Sequence, residues 1–504
     1  MKADTSKVNT SNSKNVSEKS KKLNILISLS PFIVAIILLF TPVPNGLMPY
    51  AWHFFALFMG VIVGLILEPL PGAVIGLTGV VIVSIFSQWL LFSPKELALP
   101  HFNTGIESFR WAVSGFNNST VWLIFGAFMF AAGYDKTQLG RRIALLLVKY
   151  LGRRSLTLGY AITFADLFLA PFTPSCTARS GGTIYPIIAN LPALYDSAPH
   201  HPSARRIGSY LMWIAISATC VTSSLFLSAL APNLLALALI KSLIGLDISW
   251  TTWFVAFLPV GIILILAVPL LTYWLYPPEV KVNHDVPLWA TAELKKLGKL
   301  SSHEVLLLIF VFCALLMWIF ATSIIEPAMA ALLVIIMMLW CRVLDWKDII
   351  SNNAAWNTFV WFATLVALAD GLSRVGFITW LGLQGSHWLA GMDPSLATLV
   401  LILAFYLLHY LFASTTAHTT ALLPAMLSIA ASIPAVNIKV FCLILCTSLG
   451  LMGILTPYGT GPSPIYFGSG YLPAKDYWRL GTIFGAIFLL VLLIIGYPWI
   501  SFWF

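Results

Sequence analysis

The chain has 504 residues, 59% of them hydrophobic and 9% charged, with a formal net charge of +9. Soluble globular proteins carry roughly 25% charged residues, so this composition, with its mean hydropathy of +0.90, excludes that class. Apolar runs of the roughly 20 residues needed to cross a bilayer recur along the chain, which predicts an all-α polytopic membrane protein.

Residues 1–22, "MKADTSKVNTSNSKNVSEKSKK", hold six lysines and read as a disordered cytoplasmic tail. The run "LNILISLSPFIVAIILLF" from Leu23 is the first span. No small-residue cleavage site follows it, so it is expected to be retained. Further on, Arg141, Arg142, Lys149, Arg153, Arg154, Arg205 and Arg206 fall in short segments between apolar runs. That distribution is the positive-inside pattern, so the basic balance reports topology and not a nucleic-acid partner. The stretch 277–304, "PPEVKVNHDVPLWATAELKKLGKLSSHE", is the most polar in the interior of the chain and reads as a cytoplasmic linker. In the second half, Arg342 and Lys347 fall inside, as do Lys475 and Arg479, while the C-terminus "WISFWF" ends outside. The charges predict about eleven crossings. Cys176, Cys220, Cys313, Cys341, Cys442 and Cys446 show no paired spacing, so neither a disulfide framework nor a metal site is expected.

The chain repeats itself. Asn118 and Asn357 lie 239 residues apart, as do Val121 and Val360, and Trp122 and Trp361. The same offset of 239 relates Ser175 to Ser414, Thr177 to Thr416, Ala178 to Ala417 and Arg179 to His418, and closing prolines follow at Pro186 and Pro424. Two patches sharing one offset define two homologous halves, 23–276 and 305–504. The charges place a hairpin near 155–190 as entered from inside and one near 392–430 as entered from outside, so the repeats have opposite topology. Inverted repeats with interrupted helices are an architecture of secondary transporters, whose sites lie near the midplane at matching helix breaks. Each repeat then supplies scaffold helices and a transport half bearing its hairpin.

Both matched patches are polar knots inside apolar sequence, "TPSCTARSGG" at Thr173–Gly182 and "LFASTTAHTTALLPAM" at Leu411–Met426. Lipid rejects unpaired polar groups unless they line a cavity. Half-helix N-termini favour anions, and hydroxyls of Ser175, Thr177, Ser414 and Thr416 can donate to carboxylate oxygens. Arg179 and His418 add cationic groups, and neither knot holds Asp or Glu. An anionic substrate is therefore expected. The structural alternative for the hydroxyls is helix capping or bonding to the i−4 carbonyl. For Arg179 it is snorkelling or capping, and for His418 a satisfied core histidine. A second interruption follows each knot, "TCVTSSLFLSALAPNLLA" at Thr219–Ala236 and "GILTPYGTGPSPIYFGSGY" at Gly453–Tyr471. Thr222, Ser223, Pro232 and Asn233 in the first, and Thr456, Pro457, Gly459, Thr460, Pro462 and Ser463 in the second, are candidates for a surrounding layer that bonds substrate or a cation.

On these residues the chain resembles the divalent anion/sodium symporter family. That family carries Ser-Asn-Thr at each of two hairpin tips, where this sequence has Ser175-Cys176-Thr177 and Ser414-Thr415-Thr416. "TPSCTARSGGTIYPII", "TSSLFLSALAPNLLALAL" and "STTAHTTALLPAM" are similar to its bacterial members that exchange citrate or tartrate for succinate, and to plastid 2-oxoglutarate/malate translocators. The resemblance runs from the first span to the C-terminus. It implies a homodimer, elevator-like alternating access, and a di- or tricarboxylate site lined by Ser175, Cys176, Thr177, Ser414, Thr415 and Thr416. It also implies a bacterial inner membrane or, alternatively, a plastid inner envelope. Asn offers a hard amide oxygen to Na⁺, whereas the thiol of Cys176 is a poor ligand for a hard cation. Na⁺-independent exchange without a cofactor is therefore expected, a cationic residue such as Arg179 or His418 standing in for bound-cation charge. A Na⁺-coupled importer and an anion channel remain the alternatives. An enzyme is disfavoured, since neither a His-Glu-x-x-His nor a Gly-x-Ser-x-Gly pattern occurs.

Overall fold

The computed structural model describes residues 27–389 and 391–504, so the expected tail 1–22 lies outside them. Eight helices among the described residues are long and apolar enough to cross a membrane, and five shorter apolar ones accompany them. The described residues divide into two compact units, one within 27–116 and 360–380, the other within 117–359 and 381–504.

The smaller unit is built on helices α1 (Ile27–Phe40), α2 (Pro49–Leu67), α3 (Gly72–Ile85) and α4 (Thr104–Val113). Glycines let its backbones approach closely: a Cβ on Gly60 would lie 2.7 Å from the Pro31 carbonyl oxygen, and one on Gly115 would lie 1.8 Å from that of Ala363. Such small-residue contacts drive helix packing where lipid removes the hydrophobic incentive.

The larger unit begins with α5 (Ser119–Thr137), whose first turn is capped by the Asn118 side chain accepting from the Thr120 N–H. It is followed by α6 (Leu139–Leu151) and then the first hairpin. That hairpin comprises α7 (Ser155–Leu169), a turn through Thr173–Cys176, and a wide π-helical arm Thr177–Ile184 passing into Tyr185–Ile188. Next come α8 (Gly208–Leu225), interrupted at Phe226–Leu230, α9 (Ala231–Ile244) with Pro232 in its first turn, and α10 (Trp250–Leu275).

The polar stretch between the repeats folds into helix α11 (Asp285–Leu297), which packs on α6. Adjacent arginines of α6 hold it. Arg141 bonds Glu293 at 2.9 Å. Arg142 bonds Glu304 and donates to the carbonyls of Leu297, Gly298 and Lys299, the end of α11. A cation on the last carbonyls of a helix satisfies groups that have no partner within it.

After α12 (Ser302–Phe320), α13 (Pro327–Trp340), α14 (Asn353–Arg374) and α15 (Phe377–Trp388), the second hairpin follows: α16 (Pro394–Leu407), a tight turn, and α17 (Thr415–Ala431). The first helices of the two hairpins start 239 residues apart, at Ser155 and Pro394, which is the offset of the sequence repeat. Then α18 (Ile438–Leu451) breaks at Met452–Pro462, a short α19 (Ser463–Gly468) follows, and α20 (Ala474–Val491) continues to the C-terminus. The two interrupted helices cross closely. A Cβ on Gly450 would lie 2.6 Å from the Cys220 carbonyl oxygen, and the Ser224 hydroxyl accepts from the Leu451 N–H at 3.1 Å.

Candidate functional site

Both knots lie in the larger unit and meet at one place, the break after α18. Cys176 turns inward, its Sγ 3.4 Å from the Thr460 hydroxyl. Thr415, the equivalent residue of the other knot, turns inward onto the adjacent residue and donates to the Gly459 carbonyl at 3.2 Å. The flanking hydroxyls stay open: Thr177 is exposed, and Ser175, Ser414 and Thr416 are half-buried. Thr177 stands against Gly461, where a Cβ would fall 1.8 Å from its Oγ1. This break therefore needs glycine where the first hairpin tip rests on it. The middle residue of each knot anchors its tip, and the outer two line the open side.

Ser175 and Ser414 also cap the returning arms, accepting from the N–H groups of Ala178 at 3.2 Å and Ala417 at 3.5 Å. Each hydroxyl keeps its own proton for donation. Thr419 and Thr420, one turn on, bond back to the carbonyls of Thr415 and Thr416, which is the capping and back-bonding pattern weighed against the site in the sequence.

Arg179 is placed otherwise than an exposed carboxylate clamp. It is 1% exposed and ion-paired with Asp166 at 3.2 Å. It also donates to the carbonyls of Thr173 and Ala229 at 2.9 and 2.8 Å and to the hydroxyls of Thr219, Thr222 and Ser223. The hydroxyls of Thr219 and Thr222 in turn donate to the Asp166 carboxylate. The guanidinium thus fills carbonyls left without partners at the hairpin turn and at the first helix break, and its charge is matched by a buried carboxylate. No N–H remains aimed at the open side, so its geometry is that of a brace behind the tip. Asp166 is absent from the sequence reading because it stands alone in the apolar run "ITFADLFLA". The residue 239 positions on is Phe405, so the repeat gives it no polar counterpart either.

The first break is closed by side chains. Asn233 donates to the carbonyls of Ser223 and Phe226, Trp253 to that of Ser224, and Ser228 to that of Pro171. Pro232 starts α9 beside them. The amide oxygen of Asn233 is left buried without a hydrogen-bond partner in the protein, and the second break holds such atoms too. Thr456 and Ser463 have buried hydroxyls without a hydrogen-bond partner in the protein. Pro457 is half-buried and Pro462 buried. Gly459 offers its carbonyl to both Thr415 and His409, whose Nε2 lies 2.9 Å away.

His418 is fully buried among aromatic rings, 4.5 Å from Phe405, 5.0 Å from His409 and 5.1 Å from Phe412 by ring centroids. Neither of its ring nitrogens has a partner in the protein. Residue His409 is also missing from the sequence reading, lost in "FYLLHYLF". Among the described residues no cluster of three or more His, Cys, Asp or Glu side chains forms a metal site.

Two inverted hairpins whose tips meet at a broken helix, with hydroxyls turned to the open side, define a multi-pass membrane transporter. Residues 21–504 match the family described as the sodium:sulfate symporter transmembrane region, and the chain belongs to it. The chain is 53% identical over 471 residues to the L-tartrate/succinate antiporter of Escherichia coli (strain K12), an alignment covering 94% of this chain and 97% of that protein. The L-tartrate/succinate antiporter of Shigella sonnei (strain Ss046) matches with the same identity and coverage, 53%, 94% and 97%. The fold is shared with the YdaH transporter of Alcanivorax borkumensis, whose crystal structure is described as having an unusual topology. There the TM-score is 0.54 and the identity 13%, over 86% of this chain and 97% of that one.

Proposed function

We propose that the protein is a Na⁺-independent antiporter exchanging small dicarboxylates of the tartrate and succinate kind. The observation that carries this reading is the disposition of the knots: Cys176 and Thr415 turn in on Thr460 and Gly459, leaving Ser175, Thr177, Ser414 and Thr416 as donors on the open side. The 53% identity to antiporters of L-tartrate and succinate supports the substrate class. Independence from Na⁺ is supported by the thiol at Cys176, and by the side-chain donors on the carbonyls of Ser223, Ser224, Phe226 and Ala229 at the first break. Arg179 braces the first tip through Asp166, and His418 lies behind the second.

On this reading the two repeats, 23–276 and 305–504, alternate access elevator-fashion in a homodimer of the bacterial inner membrane, with the N-terminus and linker cytoplasmic. The test is flux in proteoliposomes. Labelled succinate enters only vesicles preloaded with tartrate or succinate, and entry persists when choline replaces Na⁺. Entry into empty vesicles driven by a Na⁺ gradient overturns the antiporter in favour of a symporter. Passive entry without a counter-substrate or Na⁺ favours a channel.

A further inference from the structure

His409 and His418 are both fully buried, with ring centroids 5.0 Å apart. Of their four ring nitrogens, His409 Nε2 alone has a partner, the Gly459 carbonyl. A carbonyl only accepts, so His409 carries its proton on Nε2 and its Nδ1 is an unprotonated lone pair. Buried polar atoms are nearly always partnered, and each exception calls for an explanation. Here three such atoms lie side by side.

The surroundings hold no compensating charge. The helices packed on α17 are chiefly α9, α16 and α18. Their titratable groups are Lys241, Tyr406, Lys439, Cys442 and Cys446, with no carboxylate. Lys241 is paired with Asp247, and Lys439 stands over the Phe504 ring. Tyr406 donates to the Gly485 carbonyl. Beside the pair, Tyr410 and Tyr458 bond to Thr482 and to the Tyr410 carbonyl. An imidazolium here, without an anion, would be an uncompensated buried charge, which the fold does not tolerate without a partner. The Gly459 carbonyl that fixes His409 also accepts from Thr415 in the knot, so two hydrogen bonds link the pair to the chain neighbour of Ser414 and Thr416, donors of the proposed carboxylate site.

We infer that the His409–His418 pair is a proton-binding site coupled to substrate: when a dicarboxylate dianion enters the knots, one proton from water adds to the Nδ1 lone pair of His409 and is shared with His418. No bond in the substrate breaks. The imidazolium adds one positive charge beside two negative ones, and the proton leaves when the dianion does. This rests on the carboxylate reading of the knots.

The experiment is calorimetric titration of the purified wild-type protein with succinate in buffers of different ionisation heat. About one proton is expected to be taken up per succinate bound, and affinity is expected to weaken by up to tenfold per pH unit above about pH 7, where succinate stays doubly ionised. His409→Gln keeps a donor to Gly459 but has no basic nitrogen; it is expected to bind succinate with no proton uptake and a flat pH profile, as is His418→Gln. Wild-type binding with zero proton uptake overturns the inference while leaving the carboxylate site intact. Full uptake in both variants also overturns it. Absence of succinate or tartrate binding by the wild type overturns the carboxylate reading and the inference together.

Discussion

Arg179 is locked to Asp166, thirteen residues before it, at 3.2 Å. The residues 239 positions further along are His418 and Phe405, and they too lie against each other, with ring centroids 4.5 Å apart. One repeat fills the position behind its hairpin tip with an ion pair, the other with an aromatic contact. The position serves the same end in both, which is to hold the returning arm against its partner helix. The repeats thus place equivalent residues against each other but differ in charge there, and a buried cation at one position has no bearing on whether its equivalent is charged.

The brace reading of Arg179 predicts a stability effect ahead of an affinity effect. Removing one partner of a buried pair costs about 3–5 kcal/mol, because the other charge is left unmatched. Asp166→Asn is therefore expected to lower the melting temperature and the yield in the membrane. Arg179→Lys keeps the charge but abandons most of the six donor contacts, since an ammonium has no planar fork, and should be destabilised as well. Thermal-shift measurements on purified variants check this. A raised Michaelis constant at wild-type melting temperature would instead make Arg179 a substrate ligand.

How much of this was legible in the sequence follows from what makes a residue conspicuous. The knots stand out because clusters of hydroxyls violate the apolar pattern around them, and the shared offset of 239 pairs them without any structure. The hairpin helices starting at Ser155 and Pro394 obey the same offset. Asp166 and His409 were illegible because each is a single polar residue in a spanning run, with no periodic partner. Their partners are set by chain crossings, such as α8 bringing Thr219 and Thr222 to Asp166. Helix α11 was hidden because a polar stretch between spans reads as linker. Its docking depends on Arg141 and Arg142, more than 150 residues away.

That docking has a pH signature. Lys296, then Arg141, hold the Glu293 carboxyl below its ordinary value, outweighing the effect of burial. A carboxylate with a depressed folded-state value contributes stability above its unfolded value of about 4.3, and loses it as pH falls through the folded value. The contact between α6 and α11 is therefore expected to be constant from about pH 5 to about pH 8 and to loosen only in stronger acid. Hydrogen exchange over 285–297 checks this; rising exchange between neutrality and about pH 5 would contradict it. Arg142→Gln, which removes donors to three carbonyls at the end of α11, should raise exchange at all pH values.

The proposed cytoplasmic face of the linker is tested by labelling at a suitable position. Ala290 is fully buried, so it reports packing as much as sidedness. Leu288, on the same helix and 68% exposed, reports sidedness. In a background without the six native cysteines, Leu288→Cys is expected to react with membrane-impermeant maleimide in inverted vesicles and not in intact cells. Labelling in intact cells would reverse the orientation.

The last prediction concerns the open hydroxyls and the glycine beneath one of them. Thr177→Ala and Thr416→Ala each remove a donor to a carboxylate. A hydrogen bond to a charged group is worth about 1.5–3 kcal/mol, so succinate affinity should fall roughly tenfold or more. Serine at either position retains the hydroxyl and should be milder. Gly461→Ala would place a methyl 1.8 Å from the Thr177 Oγ1, an overlap that has to displace the threonine. It should therefore mimic Thr177→Ala in affinity while leaving Thr416 untouched. Contacting residues are not additive, so the double variant Thr177→Ala/Gly461→Ala should bind no more weakly than Gly461→Ala alone. Combining Gly461→Ala with Thr416→Ala should instead multiply the two losses. Wild-type affinity in both threonine variants would reduce the paired knots to a structural repeat and remove the carboxylate site from this break.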